Sequence, residues 1–227
     1  MADHLPSKQV ISKQRVADHG EVYTRPQEVR AMLNLVRSET ERIESRFLEP
    51  ACGSGNFLVE VLWRKLRAVA LRFGGDQLAY ERNSIIAISS LYGIDILADN
   101  VQTCRDRLFE VFYREFYLDL FGEAVKPECL RSVRYILSCN IIQGDALTLR
   151  TVGEPSAPII FAEWSPVNHQ FLKRRDFSFQ SLLERESIKD SPLFSDQGEE
   201  VLIPQPVKDY PLVHFLEVGK DEIELQS

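Results

Sequence analysis

The chain has 227 residues, 44% hydrophobic and 27% charged, with a formal net charge of −7. That length suits one α/β domain with a sizeable core, and the acidic balance excludes a protein that grips nucleic acid through an all-basic surface. No apolar run reaches the length of a membrane span, and the spacing of Cys52, Cys104, Cys129 and Cys139 signals neither a disulfide framework nor a zinc site.

In chain order, residues 1–20 are polar and read as a loose arm without the apolar core of a secretory signal, which points to a cytoplasmic protein. Thr24 ahead of Pro26 predicts the cap and first turn of a helix carrying Val29, Met32, Leu33, Leu35 and Val36. Phe47 and Leu48 form a short apolar run that ends in Glu49. Gly53 and Gly55 then make a tight loop, and a helix runs from Asn56 to about Phe73, stopped by Gly74 and Gly75. Ile85–Leu91 is apolar and leads into Leu91–Ile96, a buried strand with Asp95 near its end. Leu97–Leu120 has helical spacing, and Glu128–Leu137 is a further short helix. Asn140–Leu147 reads as a strand followed by the loop acid Asp145, and Pro158–Glu163 as the next strand.

Strands near 47, 93, 141 and 160, with helices between most of them, predict a Rossmann-like α/β fold with a mostly parallel central sheet flanked by helices. Right-handed crossovers would bring every strand's C-terminal end to one edge, where ligands bind. The domain reading is an arm at 1–20, a ligand-binding domain at 21–175, and an extended tail at 176–227 that packs on an edge.

Three acids, Glu49, Asp95 and Asp145, fall at or just after strand ends. The glycines remove Cβ atoms that would hold a ligand off the backbone at a helix N-terminus. An adenosyl group needs a carboxylate for its ribose hydroxyls and an acceptor for its adenine amine. Asp95 suits the first role, with Ile96 beside the adenine face, and Asp145 the second, with Ala146 or Leu147 beside the ring. Asp95 follows Gly55 by 40 residues, against roughly 20 in dinucleotide binders, so an insertion lies between.

Phe-Leu-Glu-Pro-Ala-Cys-Gly-Ser-Gly-Asn-Phe at 47–57 resembles the cofactor loop Asp-Pro-Ala-Cys-Gly-Ser-Gly-x-Phe of S-adenosylmethionine-dependent, adenine-specific DNA methyltransferases, the N-6 DNA methylase family that includes restriction–modification modification subunits. The resemblance implies S-adenosyl-L-methionine as cofactor, with Glu49, Pro50, Ala51, Cys52, Gly53, Gly55, Asn56 and Phe57 along it. Gly-Glu-Val-Tyr-Thr-Arg-Pro at 20–26 is similar to the family's N-terminal cofactor segment. By that likeness Tyr23, Thr24 and Pro26 border the methionine end, although Arg25 is an extra residue there.

In the family the fourth strand ends in Asn/Asp/Ser-Pro-Pro-Tyr/Phe. There a side-chain oxygen and a backbone carbonyl accept the two hydrogens of the adenine amine, and the aromatic ring stacks on the flipped base. Here Ser165-Pro166-Val167-Asn168 occupies that place. Ser165 and Pro166 match, while Val167 replaces the second proline and Asn168 the aromatic, so the implied catalytic residues are Ser165, Pro166 and Asn168 in an altered loop.

Two readings follow. One is a DNA adenine-N6 methyltransferase of a restriction–modification or phage-defence system, binding DNA weakly alone and taking target recognition from a protein partner. The other is a catalytically degenerate cofactor-binding module or scaffold. Lys173, Arg174 and Arg175 are the candidate phosphate contacts, and Arg64-Lys65-x-Arg67 reads as a solvated helix face.

Overall fold

The computed structural model describes residues 24–183 and 205–220. The 1–20 arm and Tyr23 lie outside them. Pro26 opens helix α1 (Pro26–Asn34), whose preformed φ suits the first turn. The cap is Arg25 rather than Thr24, and the Glu28 carboxylate accepts the Arg25 N–H at 3.2 Å. Val29 and Leu33 are buried, whereas Met32, Leu35 and Val36 face outward. After a short turn of helix, α2 (Arg37–Thr40), comes strand β1 (Phe47–Glu49).

Helix α3 (Asn56–Phe73) begins at the glycine loop and ends at Gly74. Helix α4 (Gln77–Ser89) follows, capped by Asp76, whose carboxylate accepts the Ala79 N–H at 3.1 Å. The apolar run at 85–88 therefore belongs to a helix, and strand β2 is confined to Leu91–Asp95. The long helix expected from 97 to 120 is α5 (Ala98–Glu110) continued by a π-helical stretch, Val111–Tyr117, and a last turn, α6 (Leu118–Phe121). Helix α7 (Pro127–Asn140) leads into β3 (Ile141–Asp145), and β4 (Arg150–Thr151) turns back on it.

Strands β1, β2 and β3 are parallel neighbours in that order, and β4 pairs antiparallel with β3. The acids Glu49, Asp95 and Asp145 each end one of the three parallel strands, so they share the sheet's C-terminal edge. A core of Leu58, Val59, Leu62, Leu66, Ile85, Ile88, Leu108, Val133 and Ile136 fills the space between the helices and this sheet.

The strand near 160 departs from the expected arrangement. Strand β5 (Ile160–Val167) is not a fourth parallel neighbour. It forms a separate antiparallel sheet with β6 (Phe171–Ser178) and β7 (Lys208–His214). The physical reason is local. Asn168 takes the left-handed conformation at φ 57°, and its Oδ1 accepts the Gln170 and Phe171 N–H groups at 3.0 and 3.4 Å. Asn tolerates that conformation and closes such turns with its own side chain. A hairpin follows in which Val167 faces Phe171 and Ile160 faces Ser178. Part of the expected tail, β7, completes this sheet.

Candidate functional site

Cys52 N–H donates to the Ile94 carbonyl at 2.8 Å, fastening the loop after β1 to the end of β2. Gly55 N–H closes the turn on the Cys52 carbonyl at 2.8 Å, and the Gly55 carbonyl accepts from Val59 in the first turn of α3. Both glycines have positive φ, +51° at Gly53 and +88° at Gly55, and they serve different ends. A Cβ on Gly55 would lie 2.6 Å from Cys104 Sγ, so that glycine permits α5 to pack beneath the loop. A Cβ on Gly53 would meet nothing within 4 Å. Gly53 thus leaves open space beside a helix N-terminus, the cradle that a ligand approaching the backbone requires.

Asp95 reaches into this loop. Its Oδ2 accepts the Gly53 N–H at 2.8 Å, and its Oδ1 accepts Leu97 N–H at 2.9 Å and Asn100 Nδ2 at 3.2 Å. A carboxylate offers about four acceptor positions, so three protein donors leave room for one more. Glu49 is half-buried. Desolvation raises its carboxyl above the usual range, and the Ala51 N–H partly offsets this. Asp145 is half-exposed. The Leu147 N–H, at 2.8 Å, holds its carboxyl below the usual range, with help from Thr148. Ile96 is 49% exposed and Leu147 95% exposed, so apolar surface stands beside both acids. Ala146 is half-buried against the small core formed by Tyr92, Ile94, Ile159, Phe161 and Phe179.

Thr24 and Pro26 are joined to this edge through Asn56, whose Nδ2 donates to the Thr24 carbonyl at 3.3 Å. One residue that the sequence reading did not single out organises the junction. Arg107 Nη1, from α5, donates to the Ser54 carbonyl at 2.6 Å, to Ser54 Oγ at 3.2 Å and to Asn56 Oδ1 at 2.9 Å. Nothing in Arg-Asp-Arg at 105–107 distinguishes it from a solvated helical arginine. Only the packing of α5 under the loop does. Thus Thr24, Pro26, Glu49, Pro50, Ala51, Cys52, Gly53, Gly55, Asn56, Phe57, Asp95, Ile96, Asp145 and Ala146 are gathered at one end of the parallel sheet.

Ser165, Pro166 and Asn168 are not among them. The Ala162 N–H donates to Asn140 Oδ1 at 3.2 Å, Glu163 pairs with Arg46 at 2.5 Å, and Arg82 donates to the Asn168 carbonyl at 3.0 Å. Asn140 and Arg46 immediately precede β3 and β1, and Arg82 lies on the helix that precedes β2. Residues 163–168 therefore sit by the strands' N-terminal ends, across the sheet from the glycine loop. Ser165 and Pro166 lie within β5, an outer strand, where proline's missing N–H removes no ladder bond. The expected loop at the end of a fourth parallel strand is corrected to the tip of a hairpin, with Asn168 as its turn residue.

The basic triplet is likewise engaged within the protein. Lys173 pairs with Asp209, Arg174 binds Asp176 through two bonds at 2.8 and 2.9 Å, and Arg175 lies 3.8 Å from Glu163. Among the described residues no helix is long and apolar enough to cross a membrane, and no cluster of three or more His, Cys, Asp or Glu could hold a metal ion.

The chain is similar to known DNA-methyltransferase proteins. A type I restriction enzyme MjaVII methylase subunit from Methanocaldococcus jannaschii is 41% identical over 83 residues, which are 34% of this chain and 13% of that protein. The match thus spans a small part of the relative's length. No solved structure matches the chain. The family model described as MmeI, DNA-methyltransferase domain, matches residues 24–149, a span that holds the glycine loop, Asp95 and Asp145. With more than half of its residues inside that match, the chain belongs to the MmeI DNA-methyltransferase domain family.

Proposed function

We propose that this protein is an S-adenosyl-L-methionine-dependent methyltransferase acting on adenine N6 of DNA in a restriction–modification system, with a class I, Rossmann-like domain binding the cofactor. The observation that carries the proposal is the open cradle at Gly53, flanked by Asp95 and Asp145 at the ends of adjacent parallel strands. When bound, the cofactor supplies an electrophilic sulfonium methyl group. Gly53 lets it reach the backbone at the start of α3, on a loop that Gly55 allows α5 to support from beneath. Asp95 accepts from a ribose hydroxyl with its remaining acceptor position while keeping the loop folded. Asp145 accepts from the adenine amine, and Ile96 and Ala146 flank the ring. Thr24 and Pro26, tied in through Asn56, border the methionine end.

Membership of a DNA-methyltransferase family favours transfer over a cofactor sensor or scaffold. The acidic charge and the internal pairing of Lys173, Arg174 and Arg175 support weak DNA binding by this chain alone, with a protein partner supplying target recognition. The reading also assigns the acceptor amine to groups other than Ser165, Pro166 and Asn168, because these lie at the opposite end of the sheet.

Transfer of a labelled methyl group to unmethylated DNA, followed by nucleoside analysis, tests the reading. Label in N6-methyladenine is expected, and label confined to cytosine would overturn the adenine assignment. In the same assay the Ser165→Ala, Asn168→Ala double variant is expected to keep turnover within about twofold of the parent. A loss of about a hundredfold with unchanged cofactor affinity would show that these residues hold the acceptor after all.

A further inference from the structure

The glycine loop stands at the margin of its sheet. In the order β1-β2-β3-β4, β1 is an outer strand, and among the described residues it pairs with β2 alone. The Phe47 N–H donates to the Ser90 carbonyl at 3.0 Å, just before β2. Main-chain groups alternate between the two edges of a strand, so Phe47 and Glu49 turn theirs to β2 while Leu48 turns its N–H and C=O outward. The Leu48 side chain is left open as well. Its register partner Tyr92 is buried in the small core with Ile94, Ile159, Phe161 and Phe179. That core stops at Tyr92, and Leu48 beside it is 41% exposed.

This margin leaves the site one-sided. In open α/β sheets, ligands bind outside the C-terminal strand ends where the strand order reverses, so that strands flank the crevice on both sides. Here β2 and β3, with Asp95 and Asp145, supply one side, and no described strand supplies the other. The missing side is also where acceptors for the adenine amine are wanted. Ser165 and Asn168 do not provide them, because they lie on β5 and its turn at the opposite end of the sheet. After β3 the chain turns back through β4 and runs into the separate sheet of β5, β6 and β7. A second copy does not fill the place either. A ladder between two copies related by a two-fold axis is antiparallel, which sets their glycine loops at opposite ends.

We propose that the outer edge of β1 is a docking surface for a strand of a second, different polypeptide. That strand runs parallel to β1, bonds to the Leu48 N–H and C=O, and covers the Leu48 side chain with an apolar one. It ends beside Gly53 with oxygen acceptors for the amine of the target adenine. In such strand addition, main-chain pairing gives affinity and side-chain contacts give specificity. The proposal rests on the methyltransferase reading above and adds the source of the other half of its site.

Replacing Leu48 with the photoreactive p-benzoylphenylalanine marks the edge, and the same replacement at Leu71, an exposed position on α3, is the control. Illumination in the cells that make the protein is expected to join the first variant, and not the second, to one foreign polypeptide. That polypeptide, purified and added to the parent chain, is expected to raise methyl transfer to DNA about a hundredfold, the scale of a positioned proton acceptor. Leu48→Pro removes the outward N–H and no bond to β2. It should weaken the apparent affinity for the polypeptide about tenfold, the loss of one hydrogen bond, and leave cofactor affinity within about twofold. Leu48→Lys, a charge of the kind that blunts sheet edges, takes its place should the proline variant not fold. Absence of a foreign cross-link at position 48 would overturn the proposal, as would a cross-link there confined to a second copy or to this chain's own residues 184–204. Equal transfer by the chain alone, or an affinity that both Leu48 variants leave intact, would overturn it too. Calorimetry with S-adenosyl-L-methionine separates the two readings. A chain that binds the cofactor but gains nothing from the polypeptide refutes the docking surface alone, whereas a folded chain that binds no cofactor refutes the methyltransferase reading beneath it.

Discussion

Gly55→Ala is expected to lower the free energy of unfolding by about 2–4 kcal/mol, the sum of a left-handed backbone penalty and overpacking against a fixed neighbour. The backbone holds φ +88° there, and the added methyl would sit 2.6 Å from Cys104 Sγ, 3.3 Å from its Cβ and 3.5 Å from its Cα. Cys104 is fully buried on α5 beneath the loop, so it has no open space to swing into. Gly53→Ala provides the contrast. It shares the positive φ but meets open space, and about 1 kcal/mol is its expected cost. Gly53→Val extends a branched side chain into that space and should abolish cofactor binding in a chain that still folds. Urea denaturation of the parent and both alanine variants checks the difference. A Gly55→Ala effect below about 0.5 kcal/mol, the size of an ordinary surface change, would contradict the packing described for α5.

Lys65→Met is expected to change both the size and the pH dependence of stability. Lys65 is 0% exposed. Its Nζ donates to the Ile43 carbonyl at 3.1 Å, to the Ser45 carbonyl, and to Ser90 Oγ at 2.5 Å, and it lies 5.2 Å from the Phe47 ring centroid. It therefore pins the segment before β1 to the start of β2. Methionine fills the volume but leaves two main-chain carbonyls without this donor, a loss of about 1–3 kcal/mol for each that stays dry. Burial pushes the lysine down to about 7, against the pull of the Glu44 and Glu39 charges. The sign of the linkage follows. The unfolded chain keeps this proton until about pH 10.4, whereas the native chain gives it up near 7, so unfolding in that window takes up a proton. Raising the pH from about 7 to about 9 should stabilise the parent relative to Lys65→Met by at most about 1.4 kcal/mol per pH unit. Parallel denaturation curves across that range would place the proton on Lys65 in both states.

The glycine loop and its helix were legible because their signals are local. Gly53, Gly55 and the Gly74-Gly75 stop fix a loop and the two ends of α3 without reference to the rest of the chain. The shared edge of Glu49, Asp95 and Asp145 followed from handedness once three apolar strands had been placed. Helix α4 was hidden because Tyr80, Glu81 and every residue from Ser84 to Ser89 are buried, which erases the polar stripe that marks a helix. Lys65 was misread for the converse reason: a lysine between two arginines looks solvated until three acceptors close around it. The sheet built on the hairpin at 160–178 depended on a partner distant in sequence, since β6 takes β7 as its second neighbour across 30 residues or more. Arg107 depends on α5 meeting another element, which no window of sequence displays.

The central claim is that the edge holding Gly53, Asp95 and Asp145 binds S-adenosyl-L-methionine, and calorimetric titration of the purified, folded chain with this cofactor tests it most directly. Saturable binding at a single site is expected. Asp95→Ala should weaken it by about 1.5–3 kcal/mol, the range for a charge-assisted hydrogen bond, with any loosening of the Gly53 loop adding to the loss. A folded parent chain that takes up no cofactor at millimolar concentration, or that binds it equally well in the Asp95→Ala and Gly53→Val variants, would contradict the account.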